Sequence, residues 1–224
     1  AQQAPGRLRI GLVTTPLTHT PVHAECISAA RNAATLCGGL GHVVEDVTLP
    51  VDPRRFFAAF GPIMAASTVE RIRARERALG RDVTENDLEP LIWERYRADR
   101  NNSAEQLYAA MQDIERMTRD VALLQETYDV LLSPTLTTPP AKLGELSLNQ
   151  EKAPYEQAAI SVSAFTSLFN ATGQPAMSVP LHWSADGLPI GVMFAGRYGE
   201  EALLFQLAGQ LEKAAPWFDR LPKV

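Results

Sequence analysis

Hydroxyl and carboxamide side chains gather at two places beside apolar segments of this sequence. One group follows the apolar residues 130–132 and consists of Ser133, Thr135, Thr137 and Thr138. The other precedes an apolar run and consists of Asn170, Thr172 and Gln174. Ligands of α/β sheets bind beyond the carboxyl ends of strands, so these groups could line a pocket and form hydrogen bonds there. Local capping and turn bonding by Ser and Thr explain the same residues equally well.

Groups that could break a covalent bond do not occur in the expected patterns. The sequence has no Gly-x-Ser-x-Gly elbow, no Ser-x-x-Lys pair, and no Gly-x-Gly-x-x-Gly or Walker segment. None of the lysines lies inside an apolar run, where a lysine base would be expected; they are Lys142, Lys152, Lys213 and Lys223. We therefore assign no catalytic residue to this sequence.

The few histidines and cysteines do not predict a metal site or a disulfide. His19 and His23 have the spacing of two helical metal ligands, but Pro21 lies between them and a third ligand is missing from the pattern. Cys26 and Cys37 would lie about 16 Å apart along one helix, too far to bond to each other. We expect both cysteines to be small buried residues.

Composition narrows the class of protein. The 224 residues carry a formal net charge of −5, and 46% of them are hydrophobic, which is typical of a globular protein of one domain. This charge gives no reason to expect a nucleic-acid partner. No apolar run approaches the ~20 residues that span a bilayer, and residues 1–6 do not resemble a signal peptide. We expect a cytoplasmic protein with no membrane partner.

One cluster of arginines is a local exception to the acidic balance. Its members are Arg71, Arg73, Arg75, Arg77 and Arg81. Acidic residues alternate with them or follow at once, between Glu70 and Glu89. A solvated helix face of mixed charge is therefore favoured, and an RNA-binding patch is the alternative.

The elements that would position these residues can be predicted in order. Residues 8–14 form a short apolar run, Thr20 and Pro21 are typical of a helix start, and residues 42–49 return to strand character. Gly38 and Gly39 would end the helix between the two strands. This order predicts a parallel, right-handed βαβ unit.

Helices are predicted for most of the middle of the chain. One should run over residues 52–79, with a kink or a break at Pro62. Spacings typical of helix caps occur at 84–87 and 103–106. Apolar residues at three- and four-residue steps over 107–128 predict an amphipathic helix.

Strands and loops return in the last third of the chain. Residues 129–135 predict a strand buried on both faces, and 137–154 predict a long surface loop. A helix should follow to about Phe169, then two strands separated by the turn at 186–187, and a final helix over 199–211. Together these elements predict an α/β fold.

Seven short stretches form an ordered set of motifs. They are 8–12 (LRIGL), 41–45 (GHVVE), 129–135 (DVLLSPT), 169–180 (FNATGQPAMSVP), 187–192 (GLPIGV), 201–204 (EALL) and 211–217 (LEKAAPW). In this order they closely resemble the C-terminal half of the amidase signature family, over nearly the whole chain. The resemblance implies a mixed β-sheet covered by α-helices, with residues 1–224 as the C-terminal portion of one amidase domain.

The resemblance also implies an activity, hydrolysis of an amide bond. The family uses a serine nucleophile, a second serine with a cis peptide bond, and a lysine, all in an N-terminal half whose Gly/Ser-rich signature is not in these 224 residues. We therefore expect a fragment, a processed chain or one polypeptide of a split enzyme, inactive without its N-terminal half. No cofactor is implied.

Pocket-wall residues can be carried over from the family. They are Thr135, Ser163, Thr166, Asn170 and Gln174. Of these, Thr135 and Gln174 are the less certain matches to the motif. The spacing of Ser163, Thr166 and Asn170 would place them on one side of a helix. The segment Pro180–Trp183 favours small-molecule amidases, including cyclic-oligoamide hydrolases, over the tRNA-dependent amidotransferase subunit. The predicted substrate is a small-molecule amide.

An alternative of another class is a non-catalytic partner subunit or binding domain. It would use the arginine-rich segment 71–81 to contact a protein or a nucleic acid. In either case, half of a shared sheet would expose an apolar strand edge. We therefore expect the isolated chain to associate with its N-terminal half or with itself as a homo-oligomer.

Overall fold

The computed structural model describes residues 3–18 and 20–220 of the chain. Its strands are β1 (Arg9–Leu12), β2 (Val43–Asp46), β3 (Val130–Pro134), β4 (Ala176–Trp183) and β5 (Pro189–Gly196). Its helices are α1 (Ala24–Gly39), α2 (Pro53–Leu79), α3 (Pro90–Asp99), α4 (Ala104–Thr127), α5 (Lys152–Val162), α6 (Ser167–Thr172) and α7 (Glu201–Ala214).

The strands form one mixed sheet in the order β2-β1-β3-β5-β4. β1 pairs in parallel with both β2 and β3, and the first of these pairings confirms the predicted parallel arrangement of the βαβ unit. β5 pairs antiparallel with both β3 and β4. The sheet therefore changes from parallel to antiparallel at β3, and the predicted α/β fold with a mixed, helix-covered sheet is confirmed.

Side chains of β3 alternate between two apolar layers, as the period of a strand requires. Val130 and Leu132 pack into the layer that contains α1 and α7. Leu131 packs into the opposite layer with α2, α4 and α6. Both faces of β3 are covered, so its largely apolar sequence is the one expected for a central strand.

The two cysteines lie in the α1 layer, as the sequence predicted. Cys26 and Cys37 are free and buried on α1. Burial raises the pKa of the Cys26 thiol to about 11 and that of Cys37 to about 12. Both side chains therefore act as small apolar residues at neutral pH.

Helix α2 continues through Pro62, where the sequence predicted a kink or a break. It runs from Pro53 to Leu79 with Pro62 inside it, so the break does not occur. Asp52 caps its start, accepting hydrogen bonds from the backbone N–H groups of Arg54 and Arg55. Packing of α2 against α4 and α3 supplies the tertiary contacts that outweigh the lost backbone hydrogen bond.

The helix predicted after Thr84 begins only at Pro90. Asp87 does bond to Thr84, but its carboxylate also pairs with Arg81 at 2.7 Å, which closes a turn instead of starting a helix. These contacts hold the pKa of the Asp87 carboxyl well below its usual range, and Arg81 contributes most. The capping box predicted at Ser103 and Gln106 is confirmed at the start of α4.

The helix predicted to reach Phe169 is two helices. α5 ends at Val162, with Ser163 as its C-cap, and α6 begins at Ser167 after Thr166. Leu17 donates from its backbone to the carbonyl of Ala164 in this junction (3.4 Å), which ties the turn to the chain after β1.

The arginine cluster lies on and just beyond the second half of α2. Arg77 pairs with Glu70 at 2.6 Å, and Arg81 pairs with Asp87. Such exposed pairs contribute little to stability and partly neutralise the surface. No helix in the part of the chain that the structure describes has both the length and the apolar character needed to cross a membrane.

The packing around β5 predicts a large effect of one core substitution. Phe194 is 0% exposed, whereas Phe205 on α7 is 65% exposed. Phe194→Ala should lower the free energy of unfolding by about 3–5 kcal/mol, because it leaves a cavity between sheet and helices. Phe205→Ala is the matched control and should change it by less than about 0.5 kcal/mol. Urea denaturation measures both, and similar values for the two variants would contradict this packing.

Candidate functional site

A cavity of about 360 Å³ lies at the carboxyl end of β3. Its walls come from the segment after β3, from α6, and from β4 and β5. The lining residues are Thr135, Thr166, Phe169, Asn170, Gln174, Ala176, Met177, Ser178 and Met193. Four of the five residues predicted to bind substrate therefore meet in one cavity, at the strand end where the sequence placed it.

Ser163 is the predicted residue that the structure does not bring to this cavity. Its hydroxyl donates to the backbone carbonyl of Ala159 at 2.6 Å, one turn back in α5. Because Ser163 ends α5 and Thr166 precedes α6, the two residues do not share a helix face. Ser163 helps to end the helix, and Thr166 and Asn170 of the predicted trio line the cavity.

Several other hydroxyls of the two polar groups are engaged by the backbone. Thr137 is fully buried and donates to the carbonyl of Ser161 (2.9 Å), while its own carbonyl accepts from the N–H of His23 (2.8 Å). Ser133 donates to the carbonyl of Pro134 (2.9 Å). For Ser133 and Ser163 the structure shows local bonding, whereas Thr137 bonds to a carbonyl 24 positions away in α5.

A pair of hydroxyls forms one wall of the cavity. Thr135 Oγ1 and Ser178 Oγ are 2.6 Å apart and join the end of β3 to β4. The pair lies over Gly191 of β5: a Cβ atom there would be 2.5 Å from Ser178 Oγ and 2.9 Å from Thr135 Oγ1. Glycine is needed at this position because the two hydroxyls occupy the space of a side chain.

The sequence analysis missed Ser178 as a lining residue. Ser178 lies inside an apolar strand, two residues after Ala176, and nothing nearby in the sequence marks it. The available signal was Gly191, because a glycine inside a strand often marks a close approach of another group. A second, smaller cavity of about 180 Å³ shares Thr135 and Ser178, so the pair separates two spaces.

The cavity is uncharged. Its lining side chains are hydroxyl, carboxamide, aromatic and aliphatic, and Phe169 and Met193 form a buried apolar floor. The carboxamide of Asn170 is exposed and bonds to no other side chain that the structure describes. Hydroxyl and carboxamide groups both donate and accept hydrogen bonds, but they do not act as strong acids or bases. The arrangement can therefore hold a neutral polar group by hydrogen bonds.

Of the histidine pair considered for metal binding, His19 lies outside the described residues. His23 caps α1: its ring nitrogen Nδ1 accepts from the N–H of Glu25 at 3.3 Å. Among residues 3–18 and 20–220, no three His, Cys, Asp or Glu side chains are arranged so that they could hold a metal ion.

Comparisons with known proteins agree on one family. A family model described as "Amidase" matches residues 1–205. A 6-aminohexanoate-cyclic-dimer hydrolase of Paenarthrobacter ureafaciens is 34% identical over 98% of this chain. A putative amidase, AmiC, of Mycobacterium leprae is 38% identical over 94% of it. The chain spans about half the length of the curated relatives it matches, 46% and 44% for these two.

A solved structure shares the fold over almost the whole chain. The structure of a 6-aminohexanoate cyclic dimer hydrolase complexed with its substrate superposes with a TM-score of 0.90 and 33% identity. The match covers 99% of this chain and 48% of that protein. A bacterial aryl acylamidase matches with a TM-score of 0.77 at 24% identity, which shows the common fold.

The hydroxyl pair over Gly191 predicts that a single methyl group disrupts this wall. Gly191→Ala should displace the Ser178 hydroxyl from Thr135 and lower the free energy of unfolding by about 1–3 kcal/mol. Gly38→Ala is the matched control, because Gly38 is exposed on α1 and a Cβ there meets no atom within 4 Å. The control should be neutral or stabilising by up to about 1 kcal/mol. Denaturant unfolding that ranks the two variants in the opposite order would refute the close approach.

Proposed function

The chain belongs to the amidase family, and from that premise we propose that it forms the substrate-binding wall of an enzyme that hydrolyses a carboxylic amide bond. The observation that carries the proposal is the uncharged cavity with Thr135, Thr166 and Asn170 in its wall. A neutral amide has one carbonyl acceptor and one N–H donor, and hydroxyl and carboxamide groups complement both. These residues would orient the amide, which is a contribution of proximity and not of bond cleavage.

The groups that break the bond belong, in this proposal, to the N-terminal half of the enzyme. They are the serine nucleophile, the second serine with a cis peptide bond, and the lysine that the resemblance implies. The coverage of the relatives supports this division, because the chain matches 46% of the Paenarthrobacter hydrolase. The N-terminal half is the proposed partner, either joined covalently or as a separate chain, and we place the assembled enzyme in the cytoplasm.

The position of β4 indicates where that partner would dock. β4 is one edge of the sheet, and its first residues, Ala176, Met177 and Ser178, line the cavity. A partner packed along this edge would cover the unpaired backbone groups of β4 and bring its own residues to the cavity. The same contact would therefore complete both the sheet and the site.

The proposed substrate is a small neutral amide. The cavity presents no charged side chain to a bound molecule, and a charged group buried there without a partner would be costly. The relatives named for a cyclic dimer of 6-aminohexanoate favour a cyclic oligoamide as the first compound to test. This compound has no free amino or carboxyl group, so it suits an uncharged wall.

Activity should require both halves and favour the neutral substrate. The complete enzyme should hydrolyse the cyclic dimer of 6-aminohexanoate and lose activity with a serine-directed sulfonyl fluoride, whereas residues 1–224 alone should be inactive. The linear dimer carries an ammonium group and a carboxylate, so it should be a poorer substrate than the cyclic dimer. The amine released over time measures the hydrolysis of either compound.

Two results would contradict this proposal. One is amide hydrolysis by the purified chain of 224 residues that is stopped by the serine reagent, since the cleaving group would then lie in this chain. The other is a complete enzyme that is inactive on neutral amides. Sedimentation gives a separate check, because the chain alone should self-associate through its open β4 edge and remain soluble as a defined complex with the N-terminal half.

Removing the exposed carboxamide of Asn170 should weaken substrate binding. In the complete enzyme, Asn170→Ala should raise KM by about three- to tenfold and change kcat little, because one hydrogen bond to the bound amide is lost. Asn102→Ala is the matched control, since Asn102 is exposed between α3 and α4. Steady-state kinetics that show equal effects for the two variants would exclude Asn170 from the binding wall.

A further inference from the structure

We infer that Gln125 is a positioning residue of the proposed amide site, and that it acts through Gln174. The inference rests on the proposed function and deepens it. Gln125 lies in the last turns of α4 and is only 1% exposed, so a polar side chain there requires internal partners. Nothing in the sequence around Gln125 connects it with the cavity.

The carboxamide of Gln125 is bonded at both ends. Its Nε2 group donates to the backbone carbonyl of Ala195 in β5 at 3.4 Å. Its Oε1 atom accepts a short hydrogen bond from Nε2 of Gln174. Because a backbone carbonyl can only accept, Ala195 fixes which end of Gln125 faces Gln174.

The orientation of Gln174 follows from that of Gln125. Since Gln174 donates through Nε2, its Oε1 atom faces Thr172 and accepts from the threonine hydroxyl at 2.8 Å. The same hydroxyl proton lies within reach of the carbonyl of Leu168, at 3.1 Å. Gln174 is 7% exposed, and its carboxamide is committed to the protein. Its polar end therefore belongs to the network of Gln125 and Thr172.

These bonds fix the turn that joins α6 to β4. Gly173 ends α6 in the left-handed region (φ 75°), and Pro175 accepts from the N–H of Gly196 at 2.9 Å. The turn is thus held from α4 by Gln125, from α6 by Thr172 and from β5 by Gly196. Residues on both sides of this turn line the cavity, so its position sets the distance between the two walls.

The support behind Gln125 is itself anchored. Arg197 donates from Nε to the backbone carbonyl of Gln125 at 2.7 Å and from its terminal nitrogen to Asp129 at 2.8 Å. The other carboxylate oxygen of Asp129 accepts from the N–H of Arg9 at 2.8 Å. The end of α4 is therefore connected to the residue after β5 and to β1. These bonds fix the position of Gln125, which in turn fixes that of Gln174.

Gln125 does not line the proposed site. Gln174 lines both that cavity and a larger one of about 530 Å³. Gln125 lines the larger cavity and is not among the residues that line the proposed site. A substitution of Gln125 can therefore affect a bound amide only indirectly, through its partners Gln174 and the carbonyl of Ala195. This separation makes the inference testable.

The test uses the complete enzyme with Gln125→Leu, Gln174→Leu and the double variant. Each single change leaves one buried carboxamide without its partner, so the backbone N–H groups within residues 173–178, of which Pro175 has none, should exchange with deuterium about tenfold faster. KM should rise in both single variants with kcat largely kept, and the double variant should be no worse than either. Gln112→Leu, the same change at a partly exposed position of α4, is the control and should alter neither quantity.

A milder variant guards against loss of folding. Thr172→Val keeps the volume of the side chain and removes the hydroxyl that orients Gln174, so it should produce a smaller increase in the same exchange rates and in KM. The inference fails if Gln174→Leu raises KM while Gln125→Leu does not, since Gln174 would then contact the substrate directly. It also fails if exchange speeds up uniformly across the protein.

The exchange data separate this inference from the proposed function. If the complete enzyme hydrolyses no amide, the proposed function is wrong, and faster exchange confined to residues 173–178 still shows that Gln125 holds the turn. If the enzyme is active and Gln125→Leu changes neither exchange nor KM, the positioning role is refuted and the amide site stands.

Discussion

The pairing of β3 with β5 is the interaction on which the rest of the structure depends. β3 is buried along its whole length and joins the parallel part of the sheet to the antiparallel part. The hydrogen bonding continues one step past β3, where the N–H of Thr135 donates to the carbonyl of Gly191 at 3.1 Å. A shift of this register by one residue would turn Val130 and Leu132 out of their layer and move Thr135 away from the cavity. The core and the candidate site therefore share one register.

Satisfaction of buried polar groups decides which side chains remain able to bind a ligand. The hydroxyls of Thr137 and Ser163 bond to backbone carbonyls, and the carboxamides of Gln125 and Gln174 bond to each other. Leaving any of these groups unpaired would cost about 1–3 kcal/mol, so none is readily available to a substrate. Asn170 is different, because its carboxamide is exposed and needs no internal partner. The binding chemistry of the wall is therefore carried by a small part of the polar residues around it.

Local signals predicted much of this structure. The apolar run of β3, the capping box of α4 and the order of the βαβ unit all depend on neighbours in the sequence, and the resemblance added the residues predicted to form the pocket wall. The sequence did not reveal features that depend on distant partners. Thr135 meets Ser178 across 43 positions, and Gln125 meets Gln174 across 49. The late start of α3 has a different cause, because Arg81 and Asp87 are only six residues apart: their pairing closes a turn where the spacing of Thr84 and Asp87 alone predicts a helix.

An uncharged wall discriminates against ligands that leave its polar groups without hydrogen-bond partners. When the cavity is open to water, the carboxamide of Asn170 is hydrated at no cost. A bound molecule that displaces this water must replace its hydrogen bonds, or the carboxamide is left buried and unpaired. A polar neutral amide replaces them, whereas an apolar molecule of equal size does not. Discrimination of this kind can be large even in a cavity without charged side chains. The unpaired carboxamide weakens the binding of an apolar ligand, and it does not strengthen the binding of an amide.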